Sequence, residues 1–579
     1  MSKGKAIVLG VFTFWPILYI FLFIGFVFTV MISDVSHPRH GSSMGIIFPV
    51  IFTVHVLTIL GTFVLITIYM VYLFRTDRVP KDKKALWAAV LFLGNMGAMP
   101  VFWYLYIWRK PKADSPVPST TLVEGSPGAN LPSGKRHPTW LKALIIALVI
   151  IILGPVLLRA VSGWVMQARF DGKLAELHKV GEPLTLSELT PPSVATDQNA
   201  ALLYEQASAK VALLPGKTVE RIETLAGRGR KLSPEELKEV RELLPGVAEA
   251  LALVHEAASR RCRFDADYKS GFFDRELPHL KVLQTAWRLL ALNTAVLLAD
   301  GKADEAADEC LRMLRVARAV DDEPFFISWL VENALEGQAS SYLQCVMDRS
   351  EPSVGALKRF AAELGDLTDR RRIVLAMRGE RADYLPLVER GFRIPADFEM
   401  CGRLPAETTG FKGFLFRPVF MSDAVTWVEF ESRALQLAQK PWFETASLWK
   451  KLEQDRDTLV NASPWAASLH PYTYYFIRGQ DQFARNFDRG VASRGLAKLA
   501  IALRVRRMAQ GSYPASLADL VPSFLDTLPT DPFSGKSCIF RREKGGFLVY
   551  SVGDDGKDNG GVEKIKDSDE RDIVWKCSR

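Results

Sequence analysis

Near the C-terminal end of the 579-residue chain, the run SVGDDGKDNGGVEKIKDSDERDI gathers Ser551, Asp554, Asp555, Asp558, Asp567, Asp569 and Asp572. Carboxylate and hydroxyl oxygens are the donors that hard divalent cations take, six to eight at a time. The same residues also suit Asp-Gly turns in a solvated acidic tail, and both readings stand at this point. Other reactive residue types are scattered. Cys262, Cys310, Cys345, Cys401, Cys538 and Cys577 show no C-x-x-C spacing and the histidines do not cluster, so zinc has no signature. Gly216-Lys217-Thr218 lacks the first P-loop glycine, its place being taken by Val211. No His-Glu-x-x-His helix occurs. Asp321-Asp322-Glu323, just before Pro324, are expected to cap a helix junction rather than do acid–base work. No catalytic residue and no organic cofactor is predicted.

The elements that must position the acidic run are short strands. SCIFRRE and GFLVYSV alternate around KGG, which predicts a β-hairpin. Cys538 and Cys577 fall in the first and last strands of this tail and are expected to be neighbours able to bond in an oxidising compartment. Upstream, from Ala168 to about Gly511, apolar residues recur three and four apart and predict helices. Ser233 before PEEL is an expected N-cap with Pro234 at the first helical position. Around LLADGKADEAADECLRML one helix should end at Gly301 and a second start with Asp304 as its cap, carrying Ala306, Ala307 and Leu311 inward. That is a tetratricopeptide-like hairpin, but no fixed period repeats it.

In front of this region stand four hydrophobic segments at 6–32, 45–74, 85–108 and 140–165. His55 lies in the second, with no acidic companion. The third is interrupted by Gly94, Gly97 and Pro100, and either crosses or dips in and returns. Residues 111–139 form a basic Pro/Gly/Ser linker expected to be disordered. The net charge is +8, yet residues 1–169 carry 16 Lys and Arg against 5 Asp and Glu. The basic excess therefore belongs to the membrane part, which suits an anionic lipid surface and removes the charge argument for nucleic acid. If the third segment re-enters, the basic residues on both sides of it fall on one side of the bilayer. That places the rest of the chain outside the cytoplasm.

Three resemblances add to this. YLFRTDRVPKDKKALWAAVLFLGNMGAMPVFWYLYIWR resembles the N-terminal membrane module of phospholipase D and cardiolipin synthase proteins. HLKVLQTAW, at His279 and Lys281, lacks the Asp of their catalytic motif, so no lipase activity is implied. Residues from about 165 to 560 resemble a family of uncharacterised, membrane-anchored bacterial envelope proteins. Gly511-Ser512-Tyr513-Pro514, Leu528-Pro529-Thr530-Asp531-Pro532-Phe533 and Ser551-Val552-Gly553-Asp554-Asp555-Gly556 resemble the C-terminal part of the type II secretion major pseudopilin. That resemblance implies a β-meander followed by a calcium loop. Carried over by motif, Ser551, Asp555 and Asp572 are the implied ligands; Asp554, Asp558 and Asp569 join them by proximity. The peptidase site that a pilin needs before its hydrophobic helix is absent from SGKRHPTWLKALIIAL.

The expected architecture is a membrane α-helical N-terminal region of three to four hydrophobic helices, an α-helical soluble domain over 166–490, and a small α+β pseudopilin-like unit over 491–579 with an antiparallel β-meander. The expected function is a non-enzymatic bacterial inner-membrane protein, multi-pass, with a periplasmic soluble domain. Its partners would be the lipid bilayer and envelope proteins, with calcium in the tail and no nucleic acid. The alternative is a membrane-linked hydrolase acting on lipid or envelope polymer.

Overall fold

A computed structural model describes residues 3–36, 44–109, 139–228, 232–269, 272, 275–390, 410–463, 466–562 and 572–578. The chain divides into two compact units, Met1–Ile152 with Ser463–Trp465, and Leu153–Ala462 with Ala466–Arg579.

The first unit holds α1 (Lys3–Ser36), α2 (Met44–Arg75) and α3 (Lys84–Phe102), which passes into a π-helical turn at Trp103–Trp108. Polar contacts between apolar faces fix their packing: Thr13 Oγ1 lies 2.6 Å from Tyr69 OH, and Trp103 Nε1 donates to the Ala6 carbonyl at 2.8 Å. Phe102 sits edge-on to Tyr69 and Trp87 at 5.8 and 5.3 Å. The interruption expected in the third segment falls at Asn95, whose φ of 40° and ψ of −118° break the helix. Pro100 explains its place, because a proline ring crowds the carbonyl four residues back, that of Met96, and removes the bond it would accept.

Helix α4 (Thr139–Lys179) begins in the first unit and belongs to the second from Leu153. Among the described residues two helices are long and apolar enough to cross a membrane, Lys81–Trp108 and His279–Ala299. Two others, Ala6–Phe21 and Gly61–Arg75, are apolar but shorter. The apolar residues of His279–Ala299 serve a different purpose, since Leu283, Leu289, Leu290 and Leu292 are buried in the second unit's core.

The second unit is mainly helical. After α4 come α5 (Ala201–Ala212), α6 (Gly216–Arg228), α7 (Pro234–Leu243), α8 (Ala248–Ala257), α9 (His279–Ala299), α10 (Ala303–Ala317) and α11 (Phe326–Arg349). These are followed by α12 (Val354–Glu363), α13 (Arg371–Arg390), α14 (Gly410–Ala438), α15 (Trp442–Val460), α16 (Ala466–Leu469), α17 (Pro471–Phe476) and α18 (Gln480–Gln510). Ser233 is the N-cap as expected, and with Glu236 it forms a capping box. The α9–α10 hairpin turns at Gly301 and buries Ala306, Ala307 and Leu311 as expected. Asp304 is not the cap; Lys302 holds that position, and the Asp304 carboxylate accepts the Ser353 N–H at 2.5 Å.

Three antiparallel strands, β1 (Ile539–Arg542), β2 (Phe547–Ser551) and β3 (Ile573–Cys577), form a meander in the order β1-β2-β3. The hairpin turns where KGG predicts, with Glu543 and Gly546 exchanging backbone hydrogen bonds at 3.0 and 3.2 Å. The boundary expected at 490/491 falls inside α18, and Phe547, Val549 and Trp575 of the sheet share a core with α9, α10 and α11.

The expected Cys538–Cys577 bond is not formed. Strand order and register explain why: Ile539 faces Tyr550 and Phe547 faces Cys577, so the two cysteines lie at opposite ends of the outer strands with β2 between them. Two strand spacings of roughly 4.8 Å each already exceed the ~7 Å Cα separation a disulfide tolerates.

Candidate functional site

Two apolar cores meet inside the second unit. One gathers α5–α12, the sheet and the C-terminal half of α18; the other gathers the end of α4, α13–α15, α17 and the first half of α18. Helices α11 and α18 run through both, and along their seam lies a groove of about 980 Å³. Its wall is drawn tight by glycine. A Cβ on Gly379 of α13 would lie 1.7 Å from the Pro324 carbonyl oxygen, so only glycine lets α13 approach the Asp321–Pro324 turn.

Carboxylates and guanidinium groups alternate around this groove. Glu332 and Glu336 stand one turn apart on α11. Glu336 is held by Arg318 Nε at 2.7 Å and Arg494 Nη1 at 2.9 Å. Glu332 pairs with Arg372, which also donates to the Glu323 and Val320 carbonyls at 2.6 and 3.2 Å. Arg370 grips Asp488 with both terminal nitrogens at 2.7 and 3.1 Å, and Arg371 pairs with Asp369 at 2.6 Å. Burial pushes the Glu332 carboxyl up to about 7, against the pull of Arg372 and with help from Glu336. Burial works on Glu336 the same way, but Arg494 and Arg318 outweigh it and hold that carboxyl below its ordinary value. Burial, with Asp322 beside it, pushes Asp321 up to about 6.

The Asp321–Glu323 run thus does not supply the N-cap of α11. Phe325 is the residue at the start of α11, and it makes no side-chain cap. Asp321 and Asp322 face the groove, while Glu323 turns inward to His279 at 3.0 Å and Ser328 at 2.5 Å. His279 is buried against Phe264, centroids 4.9 Å apart. His255 stands elsewhere, 2.9 Å from Glu309 at an open recess of about 480 Å³. The groove escaped sequence reasoning because its parts are far apart in the chain; the run Asp369-Arg370-Arg371-Arg372 was the available signal.

The acidic loop is divided by the fold. Ser551 is fully buried and donates to Asp531 Oδ1 at 2.8 Å, and Asp554 pairs with Arg489 of α18 at 2.5 Å. The other three described carboxylates surround the Lys557–Val562 turn. Asp555 accepts from Lys557 N and Asn559 Nδ2, both at 3.1 Å. Asp558 accepts from Tyr550 OH and Gly560 N at 2.9 Å, and Asp572 from Gly561 N at 2.7 Å and Asn559 N at 3.3 Å. Asp567 and Asp569 lie outside the described residues. By donor type Asp555, Asp558 and Asp572 suit a hard cation; Ser551 and Asp554 are turned away to Asp531 and Arg489. Among the described residues no group of three or more His, Cys, Asp or Glu side chains is arranged as a metal cage. Asp531, within the Leu-Pro-x-Asp-Pro-Phe run, is the residue the motif conceals. It is buried and also accepts from Phe533 N at 3.1 Å and Ser534 Oγ at 2.9 Å, tying that run to the end of β2.

Fold and groove define a mainly helical protein with a small antiparallel sheet and a charge-paired cleft in its larger unit. No family model, no curated protein and no solved structure matches the chain.

Proposed function

We propose that the protein is a membrane-anchored binding scaffold. In this reading its hydrophobic helices fix it as a multi-pass protein in a bacterial inner membrane, and its second unit stands in the periplasm and holds an envelope protein without transforming it. The supporting observation is the pairing of three of the groove's carboxylates with guanidinium groups. Acid–base catalysis needs a carboxyl that can meet a substrate proton, whereas Glu332, Glu336 and Asp369 are each committed to guanidinium groups. Calcium belongs to the same reading as a stabiliser of the tail, gathered by Asp555, Asp558 and Asp572.

A membrane-linked hydrolase is the second reading, and Glu332 and Glu336 favour it: two carboxyls in one groove with their pKa values pushed apart are the pattern of an acid–base pair. Incubating the full chain in detergent with fluorogenic lipid esters and with peptidoglycan fragments separates the two. The scaffold reading expects no turnover and a partner that co-purifies with wild type but not with Arg371→Glu. Turnover that falls at least a hundredfold in Glu332→Gln replaces the scaffold by the hydrolase. For the topology, alkaline phosphatase fused after Arg169 should be active; an inactive fusion places the second unit in the cytoplasm.

A further inference from the structure

The third hydrophobic segment does not run straight. Trp87 Nε1 donates to Tyr106 OH at 3.1 Å, although the two residues stand 19 apart in sequence. On a straight helix they would be about 28 Å apart. Phe102 meets Trp87 as well, ring centroids 5.3 Å apart. The chain therefore folds back at Asn95, where the helical dihedrals break, and residues 84–108 form a helical hairpin. Lys81–Trp108 is long and apolar enough to cross a membrane if extended. Folded, each arm reaches only about 16–20 Å, against a hydrocarbon core of roughly 30 Å. Phe92 and Leu93, at the tip, are exposed apolar side chains. In a bilayer such a hairpin enters and returns on the same side.

The mouth of the hairpin is consequently a single face. Tyr72 OH, near the end of α2, donates to the Tyr106 carbonyl at 3.3 Å, and Arg78 reaches the Tyr106 and Ile107 carbonyls at 3.5 and 3.4 Å. The Trp103 bond to the Ala6 carbonyl brings the first turn of α1 alongside. This face carries Arg75, Arg78, Lys81, Lys83, Lys84 and Arg109 against Asp77 and Asp82. Arg75, Lys81 and Lys83 are exposed and pair with no carboxylate among the described residues. Val79 is buried within the same loop and pins it to the helices. Tyr104 and Trp108, both exposed, are aromatic side chains of the kind that settle at a membrane–water interface.

We propose that this face binds the headgroups of anionic phospholipids, with Arg75, Lys81 and Lys83 meeting the phosphates. This rests on the membrane-anchored reading and names the lipid class that the anchor contacts. Basic clusters beside membrane segments are drawn to anionic headgroups. A straight crossing would put Arg109 across the bilayer from the Arg75–Lys84 loop; the hairpin gathers them into one cationic surface.

The test titrates the full chain, delipidated in detergent, with dioleoylphosphatidylglycerol and with dioleoylphosphatidylcholine, and counts bound lipid by native mass spectrometry. Phosphatidylglycerol should bind at least tenfold more tightly, and Arg75→Gln, Lys81→Gln and Lys83→Gln combined should remove that preference. Unchanged thermal melting certifies the fold of the triple variant. Lys210→Gln, Lys217→Gln and Lys238→Gln combined, an equal loss of charge from exposed positions of the second unit, should keep the wild-type preference. Equal affinity for the two lipids, or a preference that the first triple variant retains, overturns the proposal. Asp82→Cys and Arg109→Cys, labelled with a membrane-impermeant maleimide in sealed inverted membrane vesicles and located by mass spectrometry, should react from the same side; reaction from opposite sides overturns the hairpin face. Release of the chain from membranes by alkaline carbonate overturns the anchor and this surface with it. Retention without headgroup preference overturns the surface alone, which keeps the two failures apart.

Discussion

The seam groove and the C-terminal acidic loop are both gatherings of carboxylates, and they are neutralised in opposite ways. In the groove the counter-groups are guanidinium side chains brought from the end of α10, the start of α13 and the middle of α18. In the loop they are mostly backbone N–H groups of the Lys557–Val562 turn, two to thirteen residues away in sequence. In the first arrangement most of the ion pairs are buried, so losing one member strands the others; the second loses hydrogen bonds that water can replace. Identical residue types therefore carry different consequences, and the partner decides which.

The comparison breaks most sharply at Glu336. Glu336→Ala leaves Arg318 and Arg494 facing each other with their common counter-ion gone, and should cost about 3–5 kcal/mol in urea unfolding followed by tryptophan fluorescence. A loss within about 1 kcal/mol would mean that the groove pairs are solvated like those of the loop. Gly379→Ala attacks the same region through shape alone. With no room for a Cβ beside Pro324, it should cost about 3 kcal/mol, read by the same unfolding curve.

On the loop side, calcium should raise stability by about 2.7 kcal/mol at a hundredfold excess over Kd. The full chain in detergent should melt higher with calcium than with chelator, and Asp555→Asn with Asp572→Asn should abolish the difference. Equal melting in calcium and chelator leaves the loop as a turn closed by its own amides. In the absence of calcium, Asp572→Ala should cost about 1–3 kcal/mol, less than Glu336→Ala, because it loses N–H acceptors without stranding a charge.

The smallest effect is a slope. Because the Glu332 carboxyl is raised to about 7 in the fold, from an ordinary value of 4.5, its contribution is fully present below pH 4.5 and is lost as pH rises through 7. Stability of the second unit should therefore fall between pH 4.5 and about 7, and Glu332→Gln should flatten that fall. An unchanged slope assigns the titration to other groups.

The residues that announced themselves in the sequence did so through local rules. The KGG hairpin, the Ser233 N-cap and the Gly301 turn each depend on neighbours within a few positions, and each stands where expected. The interruption of the third hydrophobic segment was legible for the same reason. Misreadings came where a side chain's partner lies far along the chain: Asp304 meets Ser353 and Glu323 meets His279.

The sequence by itself determined the helical periodicity, the hydrophobic segments, the concentration of basic charge in residues 1–169 and the short alternating strands, because side-chain period and turn chemistry act within one element. Only the tertiary structure decided that Cys538 and Cys577 sit at opposite ends of a three-stranded sheet, that α18 carries one core into the other, and that six arginines from three stretches of chain converge on one groove. Strand order, helix packing and the pairing of buried charges are settled by contacts between residues up to hundreds of positions apart, and no local pattern encodes which carboxylate a given guanidinium will meet.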